Sequence, residues 1–318
     1  MITQHAAGHV YGPVSSRRLG RSLGVDLVPF KTCTYDCVYC QLGRTTDKTT
    51  VRTEYVPADM VFDELQAKLA TTKAVDHVTI AGSGEPTLNS RVGDLVTRIK
   101  ALTSIPLAVL TNGSLLWIRD VQDALMDADL VLPSLDAGDE NLFRYVNRPH
   151  SDIRFATMVD GLVQFRERFS GRLWLEVFLL GGVTGIRPEV ERIAALVQRI
   201  RPERVQLNSV SRPPCEDFAF PVPARQMEGF ADLFEVGAEV VCVERGEGEG
   251  EIVEASSVTD EAILALLKRR PCTARGVARG LGIHLSDATK RLHRLAQQTE
   301  VRLLRRHRRL FYWVDNTP

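Results

Sequence analysis

Three cysteines fall within eight positions in CTYDCVYC, residues 33–40, with spacing C-x3-C-x2-C. Thiolate is a soft ligand, so Cys33, Cys37 and Cys40 on one loop restrict a bound metal mainly to zinc or an iron–sulfur cluster. A closed zinc site wants four protein ligands in a tetrahedron. Here the fourth would come from far away, from Cys215 or a histidine. Protein-held four-iron clusters usually take four cysteines, so a cluster on three leaves one iron open to something other than protein. Cys215, Cys242 and Cys272 are scattered, and a core drawn from 318 residues needs no disulfide staples. Cys242 and Cys272 read as structural and Cys215 as a bystander, with a radical relay or an extra ligand as its alternatives.

Regular elements must carry this loop. LGVDLVPF (23–30) reads as a buried strand running directly into it. Helical spacing over 57–72, 91–102, 117–128, 153–168, 188–201 and 224–235 alternates with short apolar strands starting at 77, 107, 130, 172, 204 and 238. Such alternation predicts an α/β fold with a parallel sheet, a partial (βα)6 TIM-like barrel. Polar, glycine-rich stretches follow the strands: GSGEP (82–86), TNGS (111–114), SLDA (134–137) and NSVSRPP (208–214). In parallel βα folds these are the carboxyl ends of strands, where sites assemble. Glu176, acidic within the apolar strand LWLEVFLL, faces either the barrel interior or solvent. Arg17, Arg18 and Arg21 read as solvated, with binding of a phosphate or carboxylate near the cavity as the alternative.

The expected organisation is an N-terminal segment 1–22, a core 23–243, a glycine- and glutamate-rich linker 244–257 and a small domain 258–318. In the small domain, helices at 259–270, 273–283 and 285–298, the last capped by Ser286, precede a hairpin at 301–314. Three helices and a hairpin are the plan of a winged helix-turn-helix. At least one of Phe311, Tyr312 and Trp313 should lie in its core.

Net charge is zero, but the chain from Ala255 onward carries +8 and the rest −8. The third small-domain helix offers Thr289, Lys290, His293, Arg294 and Gln297 on one face, and the hairpin tip offers Arg305, Arg306, His307, Arg308 and Arg309. These donors suit phosphates and base edges, which makes RNA or DNA the expected partner of Lys290, Arg294, Arg305, Arg306, Arg308 and Arg309. No stretch approaches the ~20 apolar residues that cross a bilayer. The first residues lack the apolar core of a secretory signal. No membrane partner and a cytoplasmic location are therefore expected.

With Tyr39 as its aromatic, the cysteine loop resembles the C-x3-C-x-aromatic-C signature of the radical S-adenosylmethionine (radical SAM) superfamily. GSGEP resembles that family's GGEP motif, with Ser83 inserted. The resemblance implies a [4Fe-4S] cluster on Cys33, Cys37 and Cys40, its unique iron chelated by S-adenosylmethionine. It further implies a one-electron donor of flavodoxin or ferredoxin type, cleavage of the sulfonium bond, and a 5′-deoxyadenosyl radical that abstracts hydrogen. Gly82, Ser83, Gly84, Glu85 and Pro86 would meet the methionyl ammonium, with Glu85 accepting from it. Thr111 and Asn112 would line the methionine, Ser134 and Asp136 the ribose or carboxylate, and Asn208 the adenine, with Tyr39 also beside the cofactor.

GPVSSRRLGRSLGVDLVP and QLNSVSRPP look like the branch grouped with wyosine-forming tRNA enzymes. The chain departs from that branch in having no cysteine before Cys33 and no lysine in the fifth-strand turn LLGGVTG. These readings favour a radical SAM enzyme acting on a nucleic acid. The alternatives are an activase that installs a glycyl radical in a protein, and a metal- or cluster-sensing winged-helix transcription regulator.

Overall fold

The computed structural model describes residues 8–16, 18–72, 74–241, 258–306 and 309–314. Strands β1 (Val10–Ser16) and β2 (Gly20–Val25) open the chain. A two-residue ladder, β3 (Thr32–Cys33) with β4 (Asp47–Lys48), then closes the cysteine loop on itself. There follow α1 (Ala58–Thr71), β5 (His77–Ile80), α2 (Val92–Leu102), β6 (Leu107–Thr111), α3 (Arg119–Ala124) and β7 (Leu130–Pro133). After them come α4 (Glu140–Val146), α5 (Phe155–Arg168), β8 (Arg172–Leu179), α6 (Arg187–Ile200), β9 (Arg204–Ser209), α7 (Ala224–Ala231) and β10 (Ala238–Val240).

The main sheet has the order β1-β2-β5-β6-β7-β8-β9-β10. All its neighbours are parallel except β1 and β2. Six helical crossovers carry the chain from β2 to β10, as the alternation predicts for a partial barrel. Helices cover its outer face with the large core, in which Leu65, Leu95, Ile99, Phe165 and Ile193 are fully buried. A smaller cluster is separate from that core: Ala108, Leu130, Leu132 and Trp174 of the sheet with Leu19 from the turn between β1 and β2.

The elements differ from expectation in three places. Val10–Ser16, read as part of a segment ahead of the barrel, instead forms a strand paired with β2, which begins at Gly20 rather than Leu23. Glycine, proline and serine interrupt the alternation that would have revealed this hairpin. Helix α4 was not foreseen; it has only two turns, started by the Asp139 carboxylate accepting from Leu142 N at 2.9 Å. The segment 117–128 is helical only over Arg119–Ala124.

The small domain has α8 (Asp260–Arg269), α9 (Ala274–Leu281), α10 (Leu285–Gln297) and the antiparallel hairpin β11 (Arg302–Arg306) and β12 (Arg309–Trp313). Ile263, Leu267, Val277, Leu292 and Tyr312 form its core, against which Val14 of β1 also packs. Phe311 and Tyr312 are both buried, as expected of at least one aromatic. Ser286 does not cap α10: the helix starts one residue earlier, and its first carbonyl, that of His284, accepts from Ala288 N. The linker 244–257 and Cys242 lie outside the described residues.

Adjacent residues on α2 separate core from surface. Leu95 is fully buried, whereas Asp94 makes exposed pairs with Arg91 and Arg98. Leu95→Ala is expected to cost about 2–5 kcal/mol and Asp94→Ala no more than ~1 kcal/mol, read from urea unfolding followed by far-ultraviolet circular dichroism.

Candidate functional site

Apart from its two-residue ladder, the cysteine loop has no regular structure, so the surrounding rim holds it through backbone hydrogen bonds. Lys31 N donates to Ser83 O at 2.8 Å and Glu85 N to Thr32 O at 3.1 Å, fastening the start of the loop to the turn after β5. Asp36 N reaches Asn147 O, Val38 N reaches Val146 O, and His150 N reaches Thr34 O, fastening the middle to the segment that follows α4. From the segment after β9, Glu216 N donates to Val38 O at 2.9 Å.

All three cysteines are half-buried free thiols, and each sulfur meets a side-chain nitrogen donor. Asn112 Nδ2 lies 3.6 Å from Cys33 Sγ, Asn147 Nδ2 3.5 Å from Cys37 Sγ, and Lys31 Nζ 3.1 Å from Cys40 Sγ. Burial, reinforced by the nearby Glu85 charge, pushes the Cys33 thiol up to about 12. Burial and the Asp136 charge raise Cys37 well above its ordinary range. Such thiols ionise when a positive centre takes them as ligands. Among the described residues, no three His, Cys, Asp or Glu side chains close around a single ion. A cubane instead takes each thiolate on a different iron, so three converging soft donors with hydrogen bonds to sulfur fit a [4Fe-4S] cluster.

The Glu85 turn is built into this arrangement. The carboxylate is 1% exposed. One oxygen accepts from Thr87 N at 3.1 Å, Thr87 Oγ1 at 2.6 Å and Thr111 Oγ1 at 2.6 Å; the other accepts from Asn112 N at 2.7 Å. A carboxylate offers about two lone-pair sites on each oxygen, so Oε1 is fully used while Oε2, with one donor, keeps an acceptor site. Glu85 therefore ties the turn after β5 to β6. Burial raises its pKa and the four donors pull it back. At Gly84 a Cβ would lie 1.8 Å from Thr32 O; glycine is required there for the turn to touch the cysteine loop.

Further round the rim, Asp136 is 4% exposed. It accepts from Tyr39 OH at 2.5 Å, Asn147 Nδ2 at 2.7 Å and Phe178 N at 3.1 Å. Tyr39 stacks on Phe178 with ring centroids 3.9 Å apart. Glu176 forms a bidentate pair with Arg18 at 2.7 and 2.5 Å and accepts from Asn208 Nδ2 at 2.8 Å. Burial pushes Glu176 up, but Arg18 and the hydrogen bonds outweigh it and hold the carboxyl below the usual glutamate range. Arg18 is thus a buried partner and not a solvated arginine.

The structure brings Cys33, Cys37, Cys40, Tyr39, Ser83, Glu85, Thr111, Asn112 and Asp136 into one bonded network. Pro86 opens the single 3-10 turn behind Glu85. Ser134 bridges to Glu176, whose side chain Asn208 binds. Sequence reasoning missed Asp26, Lys31, Asn147 and the role of Arg18. Asp26 and Glu176 carried a usable signal, because a carboxylate inside an apolar run demands a buried partner. In the small domain, Lys290 and Arg305 are exposed; Arg294 pairs with Asp260 and Arg306 with Asp217. Arg308 lies outside the described residues.

Burial, offset by hydrogen bonds from Tyr39 and Asn147, pushes the Asp136 carboxyl up from 3.8 to about 6. A raised carboxyl favours folding fully below its unfolded value, and that contribution is lost as pH rises through the folded value. In metal-free protein, Asp136→Asn should therefore gain stability relative to wild type between pH 4 and 7, by on the order of 3 kcal/mol. A pH-independent difference in urea midpoints would contradict this.

The description of the radical SAM superfamily matches residues 27–197. A UPF0026 protein of Methanocaldococcus jannaschii is 33% identical over 267 residues, covering 82% of this chain and 82% of that protein. A Brachyspira hyodysenteriae protein named GTPase Obg is 38% identical over 293 residues, 92% of this chain, which spans 43% of that protein's length. The solved structure of TYW1 with a lysine-pyruvate adduct bound shares the fold, with a TM-score of 0.52 and 15% identity over 70% of this chain and 74% of that one. The matched span runs from just past β2 into α6 and so takes in the cysteine loop, the Glu85 turn and the rim around Asp136. The chain belongs to the radical SAM superfamily, whose enzymes use a [4Fe-4S] cluster and S-adenosylmethionine.

Proposed function

We propose that this radical SAM enzyme modifies a nucleic acid, with a tRNA-like RNA as the first candidate, and that the small domain is a winged helix that presents it. One observation carries the reading. Arg306 of the basic hairpin pairs with Asp217, and the neighbouring Glu216 bonds the cysteine loop at Val38. A strand held along the hairpin would lie beside the mouth of the barrel. Supporting the winged-helix reading, Cys272, between α8 and α9, pairs antiparallel with Tyr312 of β12. This isolated bridge lies where such a domain carries a third strand before its second helix.

With S-adenosylmethionine on the open iron, the cluster supplies a 5′-deoxyadenosyl radical for hydrogen abstraction. The protein's part is to hold Cys33, Cys37 and Cys40, to keep Asn112, Asn147 and Lys31 against the sulfurs, and to line the cavity with Tyr39, Asp136 and Asn208. A one-electron donor is required, and a flavodoxin- or ferredoxin-type protein in the cytoplasm suits that need. The ring-building chemistry of the wyosine branch is not carried over, because Cys33 is the first cysteine and LLGGVTG has no lysine. Nor is the hydrolase named in the Brachyspira relative, since this sequence contains no Gly-Lys-Ser/Thr phosphate loop. Activation of a protein substrate would leave the basic faces without a purpose.

The reading is tested by anaerobic reconstitution with dithionite and S-adenosylmethionine, with 5′-deoxyadenosine rising when total tRNA is added. A nucleoside should also be missing from RNA of cells lacking the gene; identical nucleoside profiles would remove the proposal. Cys33→Ala, Cys37→Ala and Cys40→Ala should each fall well short of four irons per chain, while Cys215→Ala reaches four; iron loss in Cys215→Ala would make it a ligand. Replacing Lys290, Arg305 and Arg309 by alanine should flatten the slope of log affinity against log salt by about 2–3. An unchanged slope places the RNA elsewhere.

A further inference from the structure

We infer that the small domain is a working part of the cofactor site: Arg269 of α8, acting through Asp26, positions the turn that carries Ser83. Asp26 follows β2 directly and is 5% exposed. Both its oxygens accept from Ser83 N, at 3.1 and 3.2 Å, and Oδ2 also accepts from Ser83 Oγ at 2.6 Å. The same Oδ2 takes Arg269 Nη1 at 2.9 Å, from a residue 243 positions along the chain. That guanidinium lies 3.7 Å from the centre of the Tyr11 ring and donates to Gly8 O at 3.0 Å, so its place is fixed by three partners. The turn is pressed onto the carboxylate: a Cβ at Gly82 would lie 2.2 Å from Asp26 Oδ1. From the other side of the turn, Ser83 O accepts Lys31 N, and Lys31 Nζ reaches Cys40 Sγ. Hydrogen bonds therefore run unbroken from the small domain, through the turn after β5, to the third cysteine.

The energetics make Arg269 a positioning residue. A buried carboxylate that loses its cation is left uncompensated, which is costly. Asp26 relieves that cost by hydrating or by turning away, and either movement releases Ser83. Arg269 meets Asp26, Gly8 and Tyr11, none of them a cysteine of the loop. Its effect passes through the turn, independently of any nucleic acid on the small domain.

The experiment uses the full chain, reconstituted air-free and left oxidised, so that no turnover occurs. S-adenosylmethionine binding is measured by titration calorimetry beside the iron content of each sample. Losing one charged hydrogen bond at a buried carboxylate corresponds to about tenfold in affinity. Arg269→Ala and Asp26→Asn are each expected to weaken binding by about that factor while iron content stays at the wild-type level. The double variant should be no worse than either, and Arg269→Lys should recover part of the loss. Asp217→Asn breaks a different ion pair, the one between Arg306 of the hairpin and the barrel, and should leave affinity unchanged. Where alanine unfolds the small domain, Arg269→Gln takes its place with the same expected loss. Wild-type affinity in the Arg269 and Asp26 variants overturns the inference. So does an equal loss in Asp217→Asn, since docking alone would then be what matters.

Discussion

A loop that must present three thiols to one centre satisfies only part of its own backbone, and the rest of this structure follows from that constraint. Buried peptide groups require partners. Here they come from the turn after β5, the segment after α4 and the segment after β9. The parallel sheet delivers all three to one rim, because its strands run the same way and end together. Small changes at any of these segments therefore reach the cysteines directly.

The second organising feature is the use of buried carboxylates as fasteners. Glu85 joins β5 to β6, Asp136 joins the cysteine loop to β8, Glu176 joins β8 to Arg18 and β9, and Asp26 joins the Ser83 turn to the small domain. Each carries several hydrogen bonds, which is the condition for burying a charge without losing stability.

Much of this was legible in the sequence. Cys33, Cys37 and Cys40 and the Glu85 turn announced their chemistry through spacing, and six strand–helix repeats announced the barrel. What stayed hidden depends on long-range partners. Arg18 sits in a serine- and arginine-rich stretch that looks solvated, and only the fold brings Glu176 to it. Asp26 was buried in an apolar run with its cation far along the chain. Helix α4 was too short to establish a period, and the β1 hairpin was masked by its glycine, proline and serine. Glu85 stood out in the sequence, but one sequence does not reveal that Thr87, Thr111 and Asn112 donate to its carboxylate.

The central claim is that three cysteines hold a cluster whose fourth iron is open to S-adenosylmethionine. Electron paramagnetic resonance of the reduced, air-free protein, recorded with and without S-adenosylmethionine, tests it most directly. The account expects the cluster's g-values and line shape to change when the cosubstrate is added. An unaltered spectrum from fully loaded protein at saturating cosubstrate would contradict it.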